Sequence, residues 1–270
     1  PAGTWTLQVR DVAAVDTGTW TSFAVTARMG RPVPATRVLS VSSTAPDGAY
    51  GPGAAIPVTV TFTAPVTVAT AGGTPTLRLE TGAVDRDVAC TGASGTATLT
   101  FLYAVAEGDA SLHLDCAGTG ALVLNGGTIS GLTGCDVDLA LPEPGAAGSL
   151  SANRYLIVDT SAPVAGVVND GPGPGDIDAQ VSTSSISATW AGFADAESGF
   201  ATTEWAIGTT PGGTEVRGFA AVEPPGASAA SADGLVLPGG ATVYVTVRAR
   251  NGAGMAASAT SDGVTVVPDL

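Results

Sequence analysis

The sequence predicts an all-β protein built from antiparallel β-sandwiches. Short runs of alternating apolar and polar residues recur along the chain, among them Ala55–Phe62, Thr76–Glu80 and Thr242–Ala249. Gly, Pro, Asp and Asn separate these runs, and strong helical periodicity is absent. Hydrophobic residues make up 44% of the 270 residues, which is enough for buried cores. Short strands between turn residues are typical of sandwiches, so we expect very little helix.

Proline-marked joints divide the chain into three predicted segments, residues 1–32, 33–162 and 163–270. The first joint is Arg31–Pro34 and the second is Asp159–Pro163. A proline restricts the residue before it to extended conformations, so both connectors should be short and stiff. We therefore expect the two larger segments to stack end to end as a rod.

The first segment reads as a β-hairpin. Trp5–Arg10 and Trp20–Val25 alternate on either side of the turn residues Asp16–Gly18. Together with Gly3–Asp11, this pattern resembles the C-terminal end of a P domain, the jelly-roll module that follows subtilisin-like catalytic domains. The resemblance covers about the last fifth of such a domain. It implies a jelly roll, and a protease, upstream in a longer precursor, and Pro1 in place of Met fits an excised piece.

Two strands cannot bury a core by themselves, so this hairpin needs a partner. Unpaired strand edges with an apolar face can add to a neighbouring sheet, and a head-to-tail contact between copies would build a filament. If the hairpin folds back on its own chain instead, the protein is a capped monomer. The predicted assembly residues are Trp5, Leu7, Val9, Trp20, Phe23 and Val25.

The middle segment resembles a repeat of large bacterial surface and secreted proteins. The matching stretches are Val38–Ser43, Asp47–Gly51, Ile56–Phe62, Gly73–Gly82 and Tyr155–Asp159. The resemblance implies an Ig-like sandwich with a scaffolding or adhesive role in a bacterial protein.

Three cysteines lie in this segment, Cys90, Cys116 and Cys135, without a CxxC pair. The nearby His113 lacks zinc-type spacing from Cys116, which argues against a thiolate metal site. Where the resembling repeats carry aromatic residues, this chain has Cys90 and Cys116. That departure implies two neighbouring strand positions, so we expect a Cys90–Cys116 disulfide and a free Cys135. Three free thiols are the alternative, because the redox compartment decides.

The last segment resembles a fibronectin type III domain. Ile186–Trp190 matches the second strand, Glu204–Gly208 the third, and Tyr244–Asn251 the penultimate strand. We expect Trp190 and Trp205 to pack in the core, as aromatic residues in such strands usually do.

Charge and hydropathy narrow the class of partner. The formal net charge is −14 and the sequence pI is about 4.1. Such a surface repels phosphate backbones, so we expect no nucleic-acid binding. The sequence has no apolar run long enough to span a bilayer, so we expect no membrane span. An acidic surface suits a secreted protein or one that binds divalent cations.

One set of acidic residues offers a metal site. In a fibronectin type III domain the start of the first strand and the second loop lie at one pole, where carboxylates from both could converge. Ca²⁺ binds several oxygen ligands at flexible spacing. The alternative is that these acids serve ordinary turns. The predicted calcium ligands are Asp170, Asp176, Asp178, Asp195 and Glu197.

We find no pattern that indicates an enzyme. A glycosidase needs two carboxylates in a cleft with aromatic residues, and aromatic residues are only 5% of this chain. His113 alone cannot make a Ser-His-Asp triad. We interpret the chain as a non-catalytic, secreted or cell-surface structural or adhesive array. Its expected partners are further copies of itself, other surface proteins or polysaccharide. The alternative is the C-terminal accessory region of a secreted subtilisin-like protease.

Overall fold

The computed structural model describes residues 36–91, 94–224 and 226–268. The predicted hairpin, including Trp5, Leu7, Val9, Trp20, Phe23 and Val25, lies outside the described residues. The described residues belong to one compact unit, Ala35–Leu270. Within that unit the buried apolar side chains form two separate clusters, one before and one after the connector Ser161–Pro163.

The first sandwich is built from short strands around one long strand and contains a four-residue helix. Its elements are β1 (Thr36–Ser43), β2 (Gly48–Tyr50), β3 (Ala55–Ala69), β4 (Thr76–Glu80), β5 (Arg86–Ala89), β6 (Thr96–Ala104), β7 (Ala110–Ser111), β8 (Asp115–Cys116), β9 (Leu122–Val123), β10 (Thr128–Gly131), β11 (Val137–Asp138), α1 (Leu150–Asn153) and β12 (Leu156–Asp159).

Strand β3 organises the first core. It pairs with β6 along one edge and with β1 and then β10 along the other. Ile56, Val58, Val60 and Phe62 are buried while the residues between them are partly exposed, because successive side chains of a strand point to opposite faces. The sheet of β4, β5, β8 and β9 supplies further core residues, including Leu79. The alternation in the sequence therefore predicted this core.

The second sandwich has an independent core. Its elements are β13 (Val167–Asp170), β14 (Ala179–Gln180), β15 (Ser185–Ala191), β16 (Phe200–Gly208), β17 (Arg217–Ala221), β18 (Ala229–Asp233), β19 (Thr242–Asn251), β20 (Ala256–Thr260) and β21 (Val264–Val266). One sheet has the order β13-β15-β18, and the other has the order β14-β21-β19-β16-β17 with β20 also on β19. Trp190 and Trp205 are buried between the sheets, as predicted.

The predicted class of all-β tandem Ig-like and fibronectin type III-like sandwiches is confirmed for the described residues, with one difference in strand direction. Three short pairs are parallel and not antiparallel: β1 with β11, β2 with β12, and β14 with β21. The pair at β14 arises because the chain leaves the first sheet after Asp170 and crosses to the second sheet before it pairs again. Crossings of this kind produce strands of two or three residues, which are too short to show an alternation of apolar and polar residues in the sequence.

The disulfide expected between Cys90 and Cys116 requires correction, because all three cysteines are free thiols. Strand β4 lies between β5 and β8, so the two residues flank it on opposite sides, about 9.5 Å apart across the sheet. Measured along β4, the two cysteines are also offset. Cys90 lies beside Pro75, to whose carbonyl its amide donates, and Cys116 lies opposite Leu79. That offset of four residues adds about 13 Å along the strand. A disulfide needs Cα atoms within about 7 Å.

A buried carboxylate fixes the short helix to the first sandwich. The Asp115 carboxylate accepts hydrogen bonds from Ser151 Oγ (2.6 Å), Gly145 N (3.0 Å) and Cys116 N (2.8 Å). Burial raises the pKa of Asp115, but these hydrogen bonds outweigh it, and the pKa lies below its usual range. The charged form therefore holds β8, α1 and the turn before α1 together.

Asp115 should make the stability of the first sandwich depend on acid pH. Its contribution is fully present above the unfolded-state pKa of about 3.9, and it is lost as pH falls through the lower folded-state pKa. We expect Asp115→Asn to lower the free energy of unfolding by about 1–3 kcal/mol at pH 7. Urea unfolding at pH 7 and at pH 3 measures both effects.

The control for this prediction is Asp136→Asn, which changes an exposed aspartate in the β10–β11 connection. It should leave the free energy of unfolding within about 0.5 kcal/mol of the unchanged protein. If Asp115→Asn is as stable as this control at pH 7, the carboxylate does not hold the helix.

Candidate functional site

The structure places acidic side chains in two groups. The first group, the joint cluster, is Asp159, Asp195 and Glu197. The second group, the edge cluster, is Asp170, Asp176 and Asp262. Within each group one carboxylate oxygen of every residue lies within 4.8 Å of the others. The predicted calcium ligands are therefore divided between the two groups and do not converge on one site.

Strand direction explains this correction. Strand β13 runs antiparallel to β15, with Val167 opposite Ala191 and Asp170 opposite Ala188. Asp170 is therefore three residues, about 10 Å, away from the end of β15 where the loop with Asp195 begins. Asp178 belongs to neither group; its backbone carbonyl accepts a hydrogen bond from Thr265 N where β14 approaches β21.

The joint cluster connects the two sandwiches. Asp159 ends β12 in the first sandwich and is fully buried. Its Oδ2 accepts hydrogen bonds from Asn251 Nδ2 (2.9 Å) and from the Ser198 hydroxyl, both of the second sandwich. Its Oδ1 accepts from Ser161 N at 2.9 Å. Both oxygens of this carboxylate therefore have donors, and most of the donors lie across the joint.

Asn251 is the central donor of the joint. It ends β19 and is 1% exposed. Its Nδ2 lies 3.1 Å from Asp195 Oδ2 and 2.9 Å from the Ser161 carbonyl, and its Oδ1 accepts from Met255 N at 2.8 Å. The other oxygen of Asp195 accepts from the amides of Ser198 and Gly199. A neutral amide thus stands between two carboxylates and offers hydrogen-bond donors to both.

The backbones approach closely at the same joint, where two glycines leave little room for a side chain. A Cβ on Gly51 would lie 3.1 Å from the Ala253 carbonyl oxygen. A Cβ on Gly252 would lie 3.0 Å from the Ser198 carbonyl oxygen and 3.3 Å from Ala49 Cβ. Side chains at these positions would have to displace these neighbours by a few tenths of an ångström, at the place where the two sandwiches meet.

The edge cluster lies within the second sandwich. Asp170 is fully buried at the end of β13, and its Oδ2 accepts from Gly263 N at 3.1 Å. Among the described residues no hydrogen-bond donor reaches Asp170 Oδ1. The exposed Asp176 accepts from the Asp170 amide at 2.7 Å, and the exposed Asp262 lies in the connection between β20 and β21.

Asp170 is electrostatically unfavourable as a carboxylate. Burial, together with the charges of Asp176 and Asp262, raises its pKa to about 6 against the lowering effect of hydrogen bonds from Ser261 and Gly263. The ion pairs of the described residues involve other carboxylates, so none of the described arginines forms an ion pair with Asp170. The edge cluster therefore lacks the donors that satisfy the joint cluster.

Sequence reasoning missed Asn251, Asp159 and Asp262 as members of these groups. In the sequence, Asp159 was recognisable only as the first residue of the connector between the two segments. Asn251 was recognisable only as the last residue of a predicted strand. Asp262 is a single acid in a turn, and nothing in its sequence context indicates that it meets Asp170. His113 carries no catalytic arrangement: its Nε2 lies 3.0 Å from the Arg154 carbonyl and its ring packs beside Tyr155.

No protein-family model and no curated protein sequence matches the chain. Among solved structures, the crystal structure of domains A168–A170 from titin matches at 12% identity and a TM-score of 0.38, over 84% of this chain and 66% of that one. This chain therefore spans slightly less than two thirds of that structure. The chicken CNTN1 FN1–FN3 domains match at 11% identity and a TM-score of 0.31, over 84% of this chain and 68% of that one.

A marsupial T cell receptor matches at 12% identity and a TM-score of 0.24, over 85% of this chain and 98% of that one. At these TM-scores none of the three likenesses carries an inference about function. The sandwich fold follows from the strand pairing itself.

We predict that Asn251→Ala destabilises the joint. The substitution removes the donor to Asp159 and Asp195 and leaves both carboxylates facing each other, so the free energy of unfolding should fall by about 2–4 kcal/mol. Calorimetry of the full chain measures the change, and the transition of the second sandwich should carry most of it.

The matched control is Asn169→Ala, since the Asn169 side chain donates to the Pro174 carbonyl (3.3 Å) in the loop that follows β13 and does not reach the joint. This variant should unfold within about 0.5–1 kcal/mol of the unchanged protein. Equal stability of the two alanine variants would contradict a structural role for the Asn251 amide.

Proposed function

We propose that this chain is a non-catalytic structural spacer of an extracellular module array, in which the joint cluster holds two sandwiches in a fixed relative orientation. The observation that carries the proposal is the hydrogen bonding of Asn251 to Asp159 of one sandwich and Asp195 of the other. These hydrogen bonds restrict how far one sandwich can move relative to the other.

Buried polar groups at the joint oppose movement of the two sandwiches relative to each other. Adjacent domains of one chain usually move relative to each other unless their interface is extensive. A buried carboxylate without its donors costs several kcal/mol, so any rotation that separates Asn251 from Asp159 is strongly opposed. The close approach of Gly51 and Gly252 to their neighbours narrows the range of allowed orientations further. A joint of this kind transmits orientation and force along an array.

The acidic charge of the chain supports an extracellular setting for this proposal. A net charge of −14 keeps the protein soluble and disfavours polyanionic partners. No helix within the described ranges is long and apolar enough to cross a membrane. A bacterial origin rests on the resemblance of the middle segment to surface-protein repeats. Adhesion, and filament formation through residues 1–32, are further proposals, and the filament rests on residues outside those described.

Electron–electron distance measurements between spin labels test the fixed joint. One label goes on the exposed Cys135 of the first sandwich and the other on Ser258→Cys, at an exposed position of β20. Cys90→Ser and Cys116→Ala remove the remaining thiols. We expect one narrow distance distribution for this background and a clearly broader one after Asn251→Ala, because the latter removes the bridging donor.

Two comparisons make this test decisive. The Asn169→Ala variant should keep the narrow distribution, since its amide does not reach the joint. A broad distribution in the labelled background itself would contradict the spacer function, because an array with a loose joint cannot hold its modules at a set orientation.

A further inference from the structure

We propose that the edge cluster of Asp170, Asp176 and Asp262 is a binding site for a divalent cation, and that its ligand is Ca²⁺. The proposal concerns the second sandwich alone and does not depend on the spacer function. It also differs from the site expected from sequence, since it excludes Asp178, Asp195 and Glu197 and includes Asp262.

The spacing of the oxygens fits a cation of this size. One oxygen from each of the three carboxylates lies within 4.8 Å of the other two. Ca²⁺ binds oxygens at about 2.3–2.6 Å, so two of its ligands are at most about 5 Å apart. Mg²⁺ binds at about 2.0–2.1 Å and demands a more regular octahedron. Oxygens up to 4.8 Å apart, in a shell completed by water, fit the longer bonds and flexible geometry of Ca²⁺ better.

An unpartnered buried oxygen provides a second observation independent of the clustering. Asp170 is fully buried, yet its Oδ1 has no hydrogen-bond donor among the described residues. Leaving a buried polar atom unsatisfied is costly, and native structures keep such atoms for a reason. Its carboxylate belongs to the group formed with Asp176 and Asp262, which can offer it no positive charge. A cation shared by the three residues supplies the missing partner.

The buried carboxylate of the joint cluster needs no cation as a partner, because it already accepts hydrogen bonds from protein groups. Asp159 accepts from Ser161, Ser198 and Asn251, and Asp195 accepts from backbone amides and from Asn251. A cation there would have to displace the Asn251 amide, with which it would compete for the same oxygens. The two clusters have the same number of carboxylates, but of the two only the edge cluster contains a buried acceptor for which the described ranges offer no donor.

An ion at the edge cluster would link the two sheets of the second sandwich. Asp170 ends β13 in one sheet, and Asp176 precedes β14, which pairs with β21 in the other sheet. Asp262 lies between β20 and β21, both of which pair with β19. The ion would therefore close the edge where the chain crosses between sheets. A ligand that binds only the folded state raises its stability, and the free thiols of this protein provide no disulfide to do so.

Calorimetric titration of CaCl₂ into the full chain tests the site after chelator treatment and dialysis. The primary variant is Asp262→Asn, because Asp262 is exposed and its substitution leaves the fold intact, which far-UV circular dichroism checks. Asp170→Asn is the second variant. Asp178→Asn is the matched control, since this exposed aspartate lies two residues from Asp176 and outside the cluster. Asp195→Asn tests the joint cluster in parallel.

We expect the unchanged chain and Asp178→Asn to bind one Ca²⁺ with equal affinity, and Asp262→Asn and Asp170→Asn to bind at least tenfold more weakly. Asp195→Asn should retain the binding. Ca²⁺ should also raise the Tm of the unchanged chain by on the order of 5 °C and leave that of Asp262→Asn unchanged. Absence of binding to the unchanged chain would overturn the proposal. So would Ca²⁺ binding by Asp262→Asn and Asp170→Asn that is as tight as that of the unchanged chain. Loss of binding in Asp195→Asn alone would overturn it too, since it would place the ion at the joint.

Discussion

The hydrogen bond between Asn251 and Asp159 is the interaction on which the arrangement of the two sandwiches depends. Each sandwich has its own apolar core, so burial of apolar surface explains each fold separately but not their relative orientation. Asn251 supplies that missing constraint, because its amide also reaches Asp195 and so joins two carboxylates that would otherwise repel. The glycines at the joint allow the backbones to come close enough for this geometry.

The two buried carboxylates of the joint and edge clusters, Asp159 and Asp170, differ in their hydrogen-bond partners. At the joint, side-chain and backbone donors surround Asp159, and the cluster is complete with protein groups alone. At the edge of the second sandwich, Asp170 is buried beside two further acids, and one of its oxygens has no hydrogen-bond donor within the described part of the chain. The number of acids therefore does not distinguish the structural cluster at the joint from the proposed cation site at the edge. The count of donors around each buried oxygen does, and it can be made only in three dimensions.

Sequence reasoning reached the fold class and the long strands, because β3, β6 and β19 alternate over many residues and bury one face. It missed the strands of two or three residues, whose length leaves no period to detect. It also misplaced contacts that depend on register. The expected pairing of Cys90 with Cys116 failed because β4 lies between their strands, and the meeting of Asp170 with Asp262 depends on a chain crossing that no local pattern encodes.

The central claim is that the joint holds both sandwiches as one body, and residual dipolar couplings test it most directly. Backbone amide couplings would be measured for the full chain in a weakly aligning medium and fitted separately for each sandwich. The network of Asn251 with Asp159 and Asp195 predicts that both sandwiches share one alignment tensor in magnitude and orientation. Tensors of clearly different magnitude would show independent motion and would contradict the account.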